Sequence, residues 1–255
     1  MNTTYYLMEV RRTVRDFLSL FFTAVLPAFL YIIFGASQDY SQDMLPTGKG
    51  NVAMYIMISM AAYGAVTATT SIGGMAAVER MQGWGRQLGL TPMRDAQYVL
   101  VKGLLGLTIA TLPVGLIYVI GHVTGAKGDG GVWLLSAVLV LLGAGLFSLY
   151  GLVFGLAFKT EGAVSAASGS LVILAFLGNL FFPLSGTWLT IAKFTPLYGI
   201  VALARQPLTD GWLITGDGSE PVQDPLWIPV VNVAVWLTIL SVLAVLLVRR
   251  GRERQ

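Results

Sequence analysis

Apolar residues in this chain fall in long blocks rather than in alternation. Phe17 to Ala36 carries no charge, and comparable blocks occupy residues 52–78, 98–123, 132–158, 163–184 and 226–248. Each reaches the ~20 residues that an α-helix needs to cross a hydrocarbon core of about 30 Å. The pattern predicts an all-α membrane protein, with one transmembrane domain over residues 1–255 and six spans. The first block could pass for a secretory signal, but its apolar part exceeds the ~7–15 residues usual there, so it is read as a retained span.

The connections are polar or rich in glycine. Ser37 to Asn51 carries Asp39, Asp43, Pro46 and Gly48, and Gly125 to Gly131 forms a glycine-rich turn. Lys159, Thr160 and Glu161 make a very tight one. In the longest connection, Ser185 to Pro225, the stretch from Trp188 to Ala204 is apolar enough for short helices dipping into the outer leaflet. Asp210 to Asp224 is acidic and polar. Residues 1–16 predict an N-terminal helix lying in the inner interface. Leu7, Val10, Val14, Phe17, Leu18 and Phe21 fall on one face about 100° wide, with Arg12, Arg15 and Asp16 off it.

Basic residues orient the chain. Of the 16 lysines and arginines, Lys49, Lys127, Lys193 and Arg205 fall on one side of the predicted spans, and the rest fall on the side of both termini. Positive charge favours the cytoplasm, so both termini are expected there. Charged residues are 11% of the chain and apolar types 55%. A soluble domain carries about 25% charge, so lipid must cover much of this surface. The net charge of +3 is spread in short blocks beside spans and gives no nucleic-acid signal. The absence of cysteine excludes disulfides and thiolate chemistry. Thirty glycines suit close helix packing in lipid.

Several function classes lack their residues. No predicted span has an ionisable group near its centre, which argues against a proton- or ion-coupled relay. The single histidine, His122, sits at the outer end of the third span and reads as an interfacial polar residue. No catalytic or metal-ligating set is expected. A phosphate-binding loop needs G-x-x-x-x-G-K-[ST], but Lys159-Thr160 follows Phe158 and Lys49 precedes Gly50. Any ATP must therefore be hydrolysed on another chain.

The stretch Glu79 to Pro92, between the second and third spans, carries the most information. Trp84, Leu88 and Leu90 offer apolar contacts and Arg80, Arg86 and Arg94 offer charge. Proline disfavours helix in the residue before it, so Thr91-Pro92 ends the element, and Thr91 or Asp95 can cap the next helix. A short knob of this kind suits a groove on another protein; a plain loop with cytoplasmic positive charge is the simpler alternative.

This stretch resembles the signature of the ABC-2 type permease family. Glu79, Arg80, Gly83, Leu88 and Pro92 match its spacing, while Met81 stands where many members carry an acid. Phe182-Pro183-Leu184-Ser185-Gly186-Thr187-Trp188, then Thr195-Pro196-Leu197-Tyr198 and Arg205, are similar to the family's outer-leaflet segment. Within the family the chain looks most like the daunorubicin-resistance type, in which membrane subunit and ATPase are separate polypeptides.

The resemblance implies an exporter membrane subunit in a bacterial plasma membrane. It would pair with a second membrane subunit, identical or similar, and with two copies of an ABC ATPase that bind ATP and Mg. Gln82 to Pro92 would be the coupling helix. Glu79, Arg80, Gly83, Trp84, Arg86, Gln87, Leu88 and Pro92 would form the coupling site, with Arg86 and Leu88 in direct contact. Glu79 would pair with Arg80, Arg12 or the interfacial helix. The hydroxyls of the second span (Thr67, Thr69, Thr70, Ser71) and of the fifth (Ser165, Ser168, Ser170) are candidates for the substrate path. Thr67, Thr70, Ser71, Phe176, Asn179 and Phe182 lead that set. Uncharged hydroxyls and aromatics suit an amphiphilic or hydrophobic substrate, whether drug-like, lipid-like or a secondary metabolite. The same small residues also serve plain helix packing, the reading given to Gly143-x-Gly145 and Gly151-x-x-x-Gly155. A non-transporting scaffold or regulatory subunit is the alternative function.

Overall fold

The structure, a computed structural model, describes residues 3–79, 95–158, 160–214 and 221–252. Helix α1 is Thr3–Val14. Helix α2, Phe17–Ala36, is one helical run that widens into π turns at Phe21–Val25 and Ile32–Ala36. Then come α3 (Val52–Glu79), α4 (Asp95–Val123), α5 (Gly130–Phe158) and α6 (Glu161–Leu177). Two short helices follow, α7 (Gly186–Ala192) and α8 (Pro196–Thr209). Strands β1 (Trp212–Leu213) and β2 (Val222–Gln223) pair antiparallel before the last helix, α9 (Trp227–Arg252). Among the described residues, α2, α3, α4, α5 and α9 are long and apolar enough to cross a membrane. The molecule is an all-α membrane protein apart from the two-residue strands.

Helix α3 is the hub. The most apolar stretch of α3 is 89% buried, against 17% for α9. A helix apolar all round has no face for water and belongs inside a bundle. Helices α2, α4, α5, α6 and α8 all pack on α3. Against α5 the backbones nearly touch: a Cβ on Gly73 would strike the Ser148 carbonyl, and one on Gly151 would strike that of Thr70. Gly155 sits over Gly74 and Ala77 in the same seam. In lipid, where no hydrophobic force drives helices together, small residues of this kind let backbones gain van der Waals contact. On another side, Pro27 has no N–H to return to the carbonyl of Thr23, and Gly64 of α3 lies against that carbonyl.

Asn51 fixes the N-terminal end of α3. Its Oδ1 accepts from the backbone N–H of Met54 at 3.1 Å, an N-cap, and from Lys127 N–H at 2.8 Å. Its Nδ2 donates to the Gly125 carbonyl at 2.9 Å. One buried side chain thus joins the α2–α3 loop, the start of α3 and the α4–α5 turn.

The fifth span departs from expectation. A continuous helix over 163–184 is expected, but α6 stops at Leu177 and Asn179 takes a left-handed backbone, φ 57°. Seventeen residues rise about 25 Å, short of the ~30 Å core. Gly178 packs against Leu197 and Tyr198 of α8, which runs on to Thr209. There Thr47 Oγ1 donates to the Leu208 carbonyl at 2.8 Å and Lys49 pairs with Asp210 at 2.7 Å, so α8 ends beside the α2–α3 loop. The predicted crossing is thus split: α6 is too short to span the core alone, and α8 continues from its end toward the α2–α3 loop. Helix α7 lies across, bent 97° from α8.

Candidate functional site

Backbone groups freed inside a membrane must find partners within the protein. Arg205, mid-way along α8, supplies them at the break. Its Nη1 donates to the Asn179 carbonyl at 2.8 Å, its Nη2 to the Leu180 carbonyl at 3.1 Å and its Nε to Ser59 Oγ at 3.0 Å. The guanidinium carbon lies 3.9 Å above the centre of the Tyr55 ring, a cation–π contact. The sequence reading places Arg205 among the outer-side charges. The structure buries it at 4% exposure, because a broken helix offers carbonyls that a planar fork can satisfy together. Nearby, Asp224 accepts from Lys193 Nζ at 2.7 Å and from the Tyr198 hydroxyl. This clamps the start of α9 to α8.

A second polar assembly lies at the opposite end of α3. Lys102 of α4 is 6% exposed, with its ammonium 2.7 Å from Glu9 Oε2 and 2.6 Å from Glu79 Oε2. Arg12 reaches Glu79 Oε1 at 3.0 Å and Glu9 at 3.9 Å. Two carboxylates and two cations balance, which lets Lys102, Glu9 and Glu79 be buried together while Arg12 stays largely exposed. Tyr6 of α1 is hydrogen-bonded to Thr108 of α4. Together these contacts tie α1 to α4 and to the last residue of α3. The face of α1 turned to the protein is Tyr6, Glu9, Val10 and Thr13. Leu7 and Val14, two members of the predicted stripe, stay exposed where lipid would meet them. A cavity of about 130 Å³ adjoins the charges, lined in part by Asp16, Ser19, Ser71 and Met75.

Of the predicted coupling residues only Glu79 is described. Arg80, Gly83, Trp84, Arg86, Gln87, Leu88 and Pro92 lie outside the described residues. Glu79 does pair with Arg12. Sequence reasoning missed Lys102 and Glu9, although both carried a signal: a lone base within an apolar block, and a lone acid among the arginines of α1.

The predicted path residues separate into groups. Thr70 is fully buried in the α3–α5 seam, its Oγ1 donating to the Phe147 carbonyl at 3.3 Å. Asn179 is 2% exposed and spends its Oδ1 on the Leu184 N–H at 2.8 Å. Thr69 donates within its own helix, and Ser170 meets the Tyr150 hydroxyl at 2.7 Å. Thr67 and Ser71 are half-buried on one stripe of α3 with Met75. Phe176 and Phe182 are half-exposed and stacked, ring centres 6.0 Å apart; Phe34 of α2 meets Phe182 edge-on at 6.1 Å. The structure thus joins α2 and α6 through an aromatic surface that includes two of the predicted residues. His122 is exposed and packs edge-on against Trp133.

The sequence profile of the family described as ABC-2 family transporter protein matches residues 35–249. A Bacillus subtilis (strain 168) protein described as a transport permease, YvfS, is 25% identical over 177 residues, covering 69% of this chain and 71% of its own length.

Proposed function

Because the chain belongs to the ABC-2 family of transporter proteins, we propose that it is the membrane subunit of an exporter whose ATP is hydrolysed on separate ABC ATPase chains. The chain has no phosphate-binding loop of its own, which agrees with that division of labour. Two membrane subunits, identical or similar, pair in the plasma membrane of a bacterium, with both termini in the cytoplasm. Each subunit docks one ATPase through Gln82 to Pro92, with Arg86 and Leu88 in contact.

The observation that carries this reading is the position of Glu79. It ends the central helix α3, opens the family-like segment, and is ion-paired to Arg12 of α1 and Lys102 of α4. A push on the segment after Glu79 therefore reaches three helices through one carboxylate. The bundle can switch between two packings only if the docked ATPases interact differently with each, and ATP-driven closure supplies that difference.

The substrate is an amphiphile, drug-like, lipid-like or a secondary metabolite. It runs along the half-buried Thr67–Ser71 stripe and the aromatic surface of Phe176 and Phe182. Hydroxyls beside exposed rings suit a molecule with one polar and one apolar end.

Substituting Leu88→Asp in a complex reconstituted with the ATPase tests the docking. A carboxylate in an apolar contact is costly, so substrate-stimulated ATPase activity and transport are both expected to fall to background. Unaltered stimulation and transport in a folded, assembled complex would sink the assignment.

A further inference from the structure

Helices α4 and α5 form a hairpin that is closed at one end and open at the other. Near the outer turn the Tyr118 hydroxyl lies 2.7 Å from Ser136 Oγ, and its ring packs edge-on against Trp133. Further in, glycines face the gap. A Cβ on Gly103 would meet nothing within 4 Å, and one on Gly145 only Leu107, at 3.9 Å. The result is a cleft of about 470 Å³, walled by leucines of both helices and floored by Thr69, Gly73 and Ala76 of α3. That volume is within the range of small-ligand sites.

The cleft is separate from the proposed substrate route. At about 100° per residue, Thr69, Gly73 and Ala76 lie on the face of α3 opposite Thr67, Ser71 and Met75. Its polar lining is largely committed elsewhere: Thr69 Oγ1 donates to the Ala65 carbonyl at 3.1 Å, and Lys102 is held by Glu9 and Glu79. An apolar slot between membrane-spanning helices is surrounded by hydrocarbon, so a hydrocarbon chain is its natural filling. The sequence just beyond the slot is basic. Val248 of α9 lines its inner end, and the next residues in the chain are Arg249, Arg250, Gly251 and Arg252. A basic cluster directly after a spanning helix attracts anionic headgroups.

We propose that the α4–α5 cleft holds one acyl chain of a resident anionic phospholipid, whose headgroup sits at the arginines after Val248. The site needs only that these helices span a membrane, so its failure would leave the export reading standing, and the reverse.

The full chain, purified in mild detergent, is titrated with micelles containing dioleoyl phosphatidylglycerol or dioleoyl phosphatidylcholine. Retained lipid is counted by native mass spectrometry. One phosphatidylglycerol per chain is expected, preferred roughly tenfold over phosphatidylcholine. Gly103→Leu fills the slot and also favours helix over glycine, so it should keep or raise the unfolding temperature while cutting retention at least tenfold. Gly145→Leu attacks the same slot from the other wall. Arg249→Gln with Arg250→Gln should keep one lipid bound but equalise the two headgroups. The proposal is overturned if both leucine variants fold and retain phosphatidylglycerol undiminished, or if the native chain holds no lipid or holds both equally. It is also overturned if filling the cleft dissociates a homodimer, which would make a second copy the occupant.

Discussion

At the scale of single residues, two buried cations decide how polar groups survive in lipid. Arg205 satisfies Ser59 and the carbonyls of Asn179 and Leu180. Replacing it with leucine strands the two carbonyls, at roughly 1–3 kcal/mol for each buried group left without a partner, while the Ser59 hydroxyl keeps its 2.7 Å bond to the Tyr55 carbonyl. Part of that loss is offset because a buried charge is also removed. Arg205→Leu should therefore destabilise the chain by about 2–4 kcal/mol, read from unfolding in detergent. Arg205→Lys should recover only part, because an ammonium cannot span the fork. Lys102 is a different case, a cation between two carboxylates. Lys102→Met leaves Glu9 and Glu79 with the largely exposed Arg12 as their remaining shared cation and should cost about 3–5 kcal/mol. Adding Glu9→Gln removes one of the two repelling charges, so the double variant should lose less than the sum of the singles. A purely additive result would show that the three groups do not act together.

Between helices, the controlling contact is the glycine seam of α3 and α5. Gly151→Leu would drive a side chain into the Thr70 carbonyl, with no flexible neighbour to yield. Overpacking of this kind costs typically 1–3 kcal/mol, and more where backbone must move. The expected outcome is a lower unfolding temperature than that of Gly103→Leu, which places the same side chain in open space. The seam was partly legible in the sequence, because Gly151-x-x-x-Gly155 reads as packing; its partners Thr70, Gly73 and Gly74 look like any hydroxyl or glycine in a span. Five of the six predicted crossings match long helices, since an uninterrupted apolar block leaves a chain in lipid little choice but helix. The sixth misled because apolar character continues from Leu171 through Leu184, straight across the break at Asn179. Hydropathy reports what surrounds a segment, not whether its backbone stays helical. Arg205 was misplaced for a related reason: its partners are carbonyls, which leave no mark on a sequence. Glu9 and Lys102 were visible as lone charges, but only the packing of α1 on α4 brings them together.

For the molecule as a whole, the split crossing makes a prediction about sidedness. If α7 and α8 formed a further complete span after α6, Asp210 would lie on the side opposite Lys49. The 2.7 Å ion pair between them puts the two residues side by side instead, which predicts that α6 and α8 together make a single crossing. The expected total is then six, with both termini expected in one compartment. The chain contains no cysteine, so single cysteines can report this directly. Asp210→Cys gives up one surface ion pair, worth no more than about 1 kcal/mol, and should leave the fold intact. In intact cells a membrane-impermeant maleimide should modify Asp210→Cys and Lys127→Cys, both at exposed positions. Arg11→Cys, on the exposed side of α1, should react only after the cells are permeabilised. Labelling of Lys127→Cys without Asp210→Cys would mean that α8 crosses fully and that the termini lie on opposite sides. The loop after Glu79 would keep its side in that case, but the sixfold count would fail.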